Sequence, residues 1–281
     1  MNERFDSDWL ALREPADADA RDPALTELAR NWLYARPRPL RIVDLGAGSG
    51  ANPRYLSRHL PGPQHWRLID HDVELLQHAE ALTAGARDTD GDSIRLETCR
   101  LDLAEPGAAI DNRTDLATAS ALFDLVPNDW VNALAARCAA VGCAVLATLS
   151  VDGEWHFIGP HGNRIEREKD ATMHSLLQTH QVRDKGLGRA LGGSAPASLR
   201  AAFAAHGFTV GEAPSPWRLY PDTRRTLALA LLDGWRAALR EQAPDDIPPI
   251  DAWWQARRSS VAAGELGVEV GHIDIYAEPP A

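Results

Sequence analysis

Blocks of apolar residues alternate along the chain with stretches of helical spacing. The first block, LRIVDLG at 40–46, is followed by ANPRYLSRHL, in which apolar residues recur with a helical period. Similar blocks predict four further strands, in HWRLID, IRLETCRLDL, TDLATASALFDLVP and CAVLATLSV, with helices over 73–85 and 128–142 among them. Strands that alternate with helices are typical of a doubly wound α/β fold, in which helices cover both faces of a parallel sheet.

The pattern is looser in the second half of the chain. Turn residues and charges in DGEWHFIGPHGNRIEREKD at 152–170 predict an irregular segment, and four glycines in RDKGLGRALGGSAP predict a mobile loop. The remaining predicted elements are a helix over 170–182, a helix in SAPASLRAAFAAHGF, a sixth strand in FTVGEA, two helices at about 222–242 and 250–263, and a last strand in VEVGHIDIYAE.

These elements predict two parts. Residues 1–37 are a helical segment that includes an amphipathic helix with Asp22 at its N-cap and Pro23 in its first turn. Residues 38–281 form one sheet domain with insertions at about 151–193 and 220–266.

The charge balance narrows the choice of partners. Among 281 residues, 29 Lys and Arg stand against 40 Asp and Glu, which gives a net charge of −11. An acidic surface repels phosphate backbones and disfavours nucleic acid as a partner, although a local basic patch at 183–189 keeps that alternative open. No apolar stretch reaches membrane-spanning length, and the polar, acidic start is typical of no leader sequence. Three cysteines without metal-ligand spacing predict reduced thiols, no metal site and a cytoplasmic location.

Three glycines follow the first strand at every second position, as Gly46, Gly48 and Gly50. A glycine turn between a strand and a helix lets the backbone approach a ligand closely. The dinucleotide fingerprint has the spacing G-x-G-x-x-G, whereas the spacing here is G-x-G-x-G. Asp44 precedes the turn, and a carboxylate there suits a cationic ligand better than a pyrophosphate.

Two further acids follow the next strands. Asp70 comes twenty residues after the last glycine and ends the second predicted strand, where an acid reaches ribose hydroxyls. Asp102 follows the third strand, where a carboxylate can accept a hydrogen bond from an adenine amino group. The predicted ligand therefore has a ribose and a cationic portion, and it needs no phosphate.

The segments VDLGAGSG, LIDHD, CRLDL and TDLATASALFDLV resemble, in order and spacing, the S-adenosylmethionine-binding motifs of class I methyltransferases. The resemblance covers about residues 40–150. It implies a doubly wound, seven-stranded and mostly parallel sheet with an antiparallel last strand. It also implies S-adenosylmethionine as cofactor. By this resemblance, and by an N-terminal segment folded over the cofactor, the expected cofactor residues are Arg13, Asp44, Gly46, Ala47, Gly48, Gly50, Asp70, His71, Asp102, Leu103 and Ser120.

Candidate catalytic residues lie in two places. Asp124, after the fourth strand, is a candidate base or amine ligand, and the alternative is a cap for the next helix. Phe123 beside it lines the acceptor site or packs in the core. The segment HSLLQTHQVRDKGLGRALGG supplies a candidate base, His180, and candidate substrate ligands, His174, Arg183 and Lys185, if it closes as a lid; the alternative is an exposed charged loop.

Aromatic residues supply further substrate candidates. Trp217 and Tyr220 follow the sixth strand, where they line an acceptor pocket or pack in the core. Trp9 covers the cofactor together with Arg13, or both belong to a surface helix.

The leading hypothesis is a methyltransferase that acts on a small molecule. One alternative is a non-catalytic cofactor sensor or partner subunit, with Trp235, Trp253 and Trp254 as anchors of a homodimer face. The others are an NAD-dependent dehydrogenase and an RNA or protein methyltransferase. The acceptor atom is open because one fold hosts many acceptors.

Overall fold

One mixed sheet forms the centre of the molecule in the computed structural model, which describes residues 6–280. Its strands are β1 (Leu40–Leu45), β2 (Gln64–Asp70), β3 (Arg95–Arg100), β4 (Leu116–Ser120), β5 (Ala144–Ile158), β6 (Arg164–Ile165), β7 (Thr209–Pro214), β8 (Trp217–Leu219) and β9 (Gly267–Glu278). The main path has the order β3-β2-β1-β4-β5-β9-β7, and β6 and β8 pair with β5 and β9. Strands β1 to β5 are parallel, and β9 is antiparallel to β5 and β7. The predicted seven-stranded, doubly wound sheet with an antiparallel last strand is confirmed.

Helices cover both faces of this sheet and extend beyond its carboxyl edge. They are α1 (Ser7–Ala20), α2 (Pro23–Tyr34), α3 (Ala51–Leu56), α4 (Val73–Thr83), α5 (Asn128–Val141), α6 (Asp170–Gln181), α7 (Ala195–Ala205), α8 (Arg225–Gln242) and α9 (Ile247–Ala262). Asp22 is the N-cap of α2, where its Oδ1 accepts a hydrogen bond from the Leu25 N–H at 2.9 Å, as predicted.

Three apolar clusters hold these elements together. One lies between the sheet and helices α5 and α7, around Phe123, Trp130 and Phe203. A second lies on the opposite face, between the sheet and helices α2, α3 and α4. The third joins α1, α6, α8 and α9 to the outer half of β5. We call the elements of this third cluster other than α1 the cap, because they lie past the point where β4 ends.

The irregular segment predicted at 152–170 is wrong in its first half, because β5 continues to Ile158. The register of β5 against β9 shifts twice, between Ala147 and Ser150 and between Val151 and Trp155. Gly153 lies in the second irregularity with a φ of +86°. The bulges let the strand carry Asp152 and Gly153 without ending, and the alternation in Trp155-His156-Phe157 is that of a strand with one buried face.

The tryptophans expected to anchor a dimer face have internal partners instead. Trp235 stacks on the buried Trp155 at 4.6 Å between ring centroids, and Trp253 is itself buried in the cap. Trp254 donates a hydrogen bond from Nε1 to Asp233 Oδ1 at 3.0 Å. These side chains therefore stabilise the cap, and the homodimer face stays a prediction.

The cysteines, possible metal ligands and possible membrane spans were also compared within the part of the chain that the structure describes. Cys138 and Cys143 are buried free thiols, and Cys99 is half-buried. Within residues 6–280 no group of three or more His, Cys, Asp or Glu side chains is arranged to hold a metal ion. No helix among those residues combines the length and the apolar character that crossing a membrane requires.

Candidate functional site

The glycine turn after β1 is fixed by the neighbouring strand. Gly46, Gly48 and Gly50 have φ values of +62°, +51° and +79°, in the left-handed region that favours glycine. The Ala47 N–H donates to the Ile69 carbonyl, and the Gly48 N–H donates to Asp70 Oδ2, both at 2.9 Å. The backbone of the turn thus faces the carboxyl end of β2.

Gly50 differs from the other two glycines because it packs against α4. A Cβ on Gly50 would lie 3.0 Å from both Ala79 Cβ and Thr83 Oγ1 of α4. This glycine therefore permits the close contact of α3 with α4, and it does not border the site cavity described below. Its contacts are those of a packing residue, and its expected role as a cofactor contact stays a prediction.

Asp70 is held as a fully oriented carboxylate at the end of β2. It is 6 % exposed, and its Oδ1 accepts a hydrogen bond from the Asp72 N–H at 2.9 Å. His71 Nδ1 lies 3.2 Å from the same oxygen. Because a carboxylate has about four lone-pair positions, two backbone donors leave capacity for hydroxyl groups of a ligand.

Asp44 lies beneath the glycine turn rather than in contact with the cavity. It is 1 % exposed, and its Oδ1 accepts hydrogen bonds from Asn52 Nδ2 at 2.6 Å and from Thr118 Oγ1 at 2.7 Å. Thr118 is its partner in the parallel register of β1 and β4. Burial raises the pKa of Asp44 from 3.8 to about 6, against the effect of those hydrogen bonds. Asp44 therefore joins β1, α3 and β4, and any influence on a ligand is electrostatic.

A cavity of about 60 Å³ lies where the turn, β2 and β4 meet. It brings together six of the expected cofactor residues, namely Arg13, Gly46, Gly48, Asp70, His71 and Ser120. The remaining lining residues were not expected from the sequence, and they are Leu10, Asp72, Leu75, Ala121, Leu122 and Leu125. We call this space the turn cavity.

Helix α1 closes the turn cavity. Leu10 Cδ1 lies 3.3 Å from the place that a Cβ on Gly48 would occupy. Cofactor pockets usually have volumes of several hundred Å³. The turn cavity is much smaller, so a nucleoside ligand requires α1 to move outward.

Polar contacts hold α1 in this position. Asp17 accepts hydrogen bonds from Arg13 Nε at 2.9 Å and from Trp217 Nε1 at 3.0 Å. The Arg13 guanidinium also lies 5.2 Å from the centroid of the Trp217 ring. Glu14 pairs with Arg54 of α3, with Oε1 2.8 Å from Nε. Asp17 was not a sequence candidate, because its partner Trp217 is 200 positions away in the chain.

Besides Asp44 and Gly50, three expected cofactor residues do not line the turn cavity. Ala47 is buried within the turn. The exposed Asp102 uses its side chain to accept a hydrogen bond from the Ala104 N–H at 3.1 Å. Leu103 is buried, and its carbonyl accepts a hydrogen bond from Trp130 Nε1. Asp102 and Leu103 follow β3 at the same sheet edge as Asp70, so their adenine role stays a prediction.

Phe123 and Asp124, the candidates that follow β4, do not line the turn cavity. Phe123 is completely buried and packs edge-on against Trp130, with ring centroids 6.0 Å apart. Phe123 therefore packs in the core here, and the substrate-binding role expected for it stays a prediction. Asp124 lies in a short 3₁₀ turn, Phe123–Leu125, and is not among the residues that line the turn cavity. The structure gives no support to Asp124 as a base.

The histidine and arginine candidates of the predicted lid form an ion-pair cluster with α8. His180 Nε2 lies 3.3 Å from Glu241 Oε2, and Arg183 Nη1 donates to Glu241 Oε1 at 2.7 Å. The hydrogen bond with His180, followed by the charges of Arg183 and Lys185, holds the pKa of Glu241 below its usual range. His180, Arg183 and Lys185 are not residues of the turn cavity, so the catalytic and substrate roles expected for them are not supported.

The last three substrate candidates, His174, Trp217 and Tyr220, contact other parts of the fold. His174 Nε2 lies 2.9 Å from the Gly153 carbonyl, and its ring lies beside Trp155. Trp217 is buried beneath α1, with its ring 6.4 Å from that of Trp9. Tyr220 lies near Gly162, with its hydroxyl 3.5 Å from the position of a Cβ there. None of the three lines the turn cavity in the described part of the chain.

No protein-family model matches the chain, and no curated protein sequence matches it significantly. Several solved structures are similar to this chain in the path of the backbone. A cyclopropane synthase from Mycobacterium tuberculosis is 13 % identical, with a TM-score of 0.49 and coverage of 97 % of this chain and 94 % of that one. A geranyl diphosphate methyltransferase solved with S-adenosylmethionine is 10 % identical, with a TM-score of 0.43 and coverage of 99 % and 93 %.

A third similar structure is a phosphoethanolamine N-methyltransferase from Haemonchus contortus. It is 13 % identical, with a TM-score of 0.42, and the match covers 99 % of this chain and 59 % of that one. At such identities and scores the likeness is limited to the fold. The function has to be inferred from the side chains of the site.

Proposed function

We propose that the protein is an S-adenosylmethionine-dependent methyltransferase that acts on a small molecule. The observation that carries the proposal is the buried carboxylate of Asp70, held against the N–H of Gly48 on the wall of the turn cavity. An oriented carboxylate at the end of the second strand, facing a glycine turn after the first, suits the two hydroxyls of a ribose.

Each residue of the turn cavity has a part in this proposal. Asp70 accepts hydrogen bonds from the ribose hydroxyls, with His71 beside it. Gly46 and Gly48 admit the methionine portion close to the backbone, because neither has a side chain to exclude it. Arg13 borders the cavity from α1 and meets the cofactor carboxylate in the proposed complex.

The chemistry proposed for the site depends on placement. When bound, S-adenosylmethionine supplies a methyl group on a strongly activated sulfonium. The apolar side chains of Leu10, Leu122 and Leu125 exclude water from the cavity, and Ser120 and Ala121 present the end of β4 to the acceptor. Since orientation of the reactants accounts for much of such catalysis, the site needs no dedicated base for a neutral amine or a thiolate acceptor.

Charge and enclosure support a small acceptor. The net charge of −11 disfavours a polyanionic substrate. Helix α1 and the cap lie over the carboxyl edge of the sheet, and both contribute to one apolar cluster with Ala121 of the cavity wall. An enclosed edge suits a molecule that can be surrounded, and it leaves little room for a folded macromolecule.

Transfer of a radiolabelled methyl group from S-adenosylmethionine tests the proposal. The purified protein is incubated with pools of small amines, thiols and hydroxy compounds, with total RNA, or with a protein extract. We expect label in the small-molecule fraction, and roughly 10- to 100-fold less of it with Asp70→Asn at a subsaturating cofactor concentration. Label in RNA or protein would contradict the small-molecule acceptor. Cofactor binding without transfer to any fraction would favour the sensing or partner-subunit alternative.

A further inference from the structure

A second cavity lies on the outer side of α3, between α1 and α4. Its volume is about 360 Å³, and among residues 6–280 it shares no lining residue with the turn cavity. We call it the arginine cleft, because Arg21, Arg54 and Arg58 line it. Tyr55, Leu82 and Ala86 line it too, as do two carboxylates: Glu14, which pairs with Arg54, and Asp17, which pairs with Arg13.

Arg21 is a buried cation with unused donors. It is 5 % exposed, and its Nε and Nη1 have no hydrogen-bond partner in the described chain. Its guanidinium lies 4.6 Å from the centroid of the Tyr55 ring. A buried donor without a hydrogen-bond partner carries a free-energy cost. A ligand that accepts hydrogen bonds in the cleft would remove that cost.

The carboxylates closest to Arg21 in electrostatic terms are committed elsewhere. They are Asp17, Asp274 and Asp44. Asp17 accepts from Arg13 and Trp217, and Asp44 accepts from Asn52 and Thr118. Asp274 accepts from the Ser215 hydroxyl and from the N–H groups of Leu149 and Asp22. These acids balance the charge of Arg21 without filling its donor positions.

Arg58 adds a second available guanidinium. It lies 5.6 Å from the centroid of the same Tyr55 ring, and it forms no ion pair with any residue from 6 to 280. Arg54 is less available to a ligand than Arg58, because its guanidinium forms an ion pair with Glu14. Burial, followed by the charges of Arg58, Arg21 and Arg30, lowers the pKa of the neighbouring His59, which is the sign of a positive field.

We propose that the arginine cleft binds a small ligand through an oxyanion, either a phosphate or a carboxylate, held between Arg21 and Arg58. Planar guanidinium groups pair with both kinds of oxyanion through parallel N–H donors. Leu82, which is 59 % exposed, and Ala86 give the cleft an apolar lip that suits an organic substituent on the anion. Because the two cavities share no lining residues, this binding does not depend on the proposed methyl transfer.

Calorimetric titration of the full chain with inorganic phosphate, phenyl phosphate and acetate, in chloride buffer of constant ionic strength, tests the proposal. We expect saturable binding of phosphate or of acetate, which also identifies the preferred oxyanion. Phenyl phosphate should bind more tightly than inorganic phosphate because of the apolar lip. Arg58→Gln should weaken binding at least tenfold, and Arg21→Lys should weaken it too, because it keeps the charge and loses the planar fork.

Arg200→Gln is the matched control. It makes the same change of charge at an arginine on α7 that pairs with Glu212. We expect it to bind like the unmodified protein. Absence of saturable binding of all three anions would overturn the proposal, as would equal weakening by Arg58→Gln and Arg200→Gln. Circular dichroism establishes that each variant is folded before its titration is compared.

Discussion

Two buried aspartates end neighbouring strands, and their surroundings give them different roles. Asp44 has side-chain partners on two other elements and no place on the cavity wall. Asp70 has backbone partners and does line the cavity. At the scale of residues, Asp70 is therefore the direct ligand contact, whereas Asp44 supports the turn from below.

Asp70→Asn tests the direct contact. The amide can still accept from the Gly48 N–H, but it loses the charge that strengthens bonds to ribose hydroxyls. We expect the binding of S-adenosylhomocysteine to weaken by about 1.5–3 kcal/mol, or roughly 10- to 100-fold in Kd. Calorimetry measures this, with the exposed Asp222→Asn as the control. An unchanged Kd for Asp70→Asn would remove the ribose assignment.

Asp44→Asn tests the pKa of the supporting carboxyl. Folding raises this pKa from 3.8 to about 6, so the folded state holds the proton more tightly than the unfolded state. The stability that results is present below about pH 4 and is lost as the pH rises through 6. We therefore expect the stability of Asp44→Asn, relative to the unmodified protein, to increase by about 2.5 kcal/mol between pH 4 and pH 7.

Urea unfolding at several pH values measures that difference. His272, whose pKa burial lowers to about 3, destabilises the folded state in acid, but it does so equally in both proteins and cancels from the comparison. A difference that stays constant with pH would show that Asp44 does not titrate in this range.

Contacts between residues of one local motif could be predicted from the sequence, whereas contacts between residues far apart in the sequence could not. The spacing of the glycines and Asp70 follows from one strand-turn-helix unit and its neighbour, so their convergence could be predicted. His180 has its partner Glu241 at a separation of 61 residues. Nothing local to the HSLLQTHQVRDKGLGRALGG segment distinguishes a lid from an ion pair with a later helix.

Among the elements, α1 is the part of the predicted N-terminal helical segment that lies at the turn cavity. The residues that face the turn cavity, Leu10 and Arg13, and those that border the arginine cleft, Glu14 and Asp17, occupy adjacent positions on one helix. Its anchors lie on α3 and on β8. Movement of α1 therefore opens the turn cavity only when these contacts are released.

Glu14→Gln weakens one anchor without touching the turn cavity. Removal of a partly exposed ion pair is expected to cost up to about 1 kcal/mol. If α1 must open before the cofactor enters, the association rate constant should rise by up to roughly fivefold, since RT is about 0.6 kcal/mol. Stopped-flow tryptophan fluorescence measures this rate, because Trp9 and Trp217 pack at α1.

Glu27→Gln is the control for that experiment. It removes an ion pair of similar type, with Arg30 on α2, away from the turn cavity. Equal association rates for Glu14→Gln and the unmodified protein would show that α1 opening does not limit entry.

The strands of the regular sheet and the three helices of the cap could be predicted from the local pattern, whereas the outer half of β5 could not. Each strand of β1 to β4 ends near a turn signal, so its limits are visible locally. The outer half of β5 passes through Asp152 and Gly153, which read as a turn, and only pairing with β9 keeps it extended. That pairing joins residues more than a hundred positions apart, which a local pattern cannot show.

At the scale of the whole molecule, strand order explains why the site lies where it does. Adjacent parallel strands β2, β1 and β4 bring Asp70, the glycine turn and Ser120 to one edge. Ligands of open α/β sheets bind at such an edge, where the strand order reverses. Helix α1 then covers part of this edge, where Leu10 and Arg13 line the turn cavity.

Parallel calorimetric titrations with S-adenosylmethionine, S-adenosylhomocysteine and NAD distinguish a methyl-transfer site from a dinucleotide site. We expect micromolar binding of the first two ligands and none of NAD, because the glycine turn and Asp70 are arranged for a ribose beside a sulfonium and not for a pyrophosphate. Binding of NAD, or binding of none of the three, would contradict this expectation.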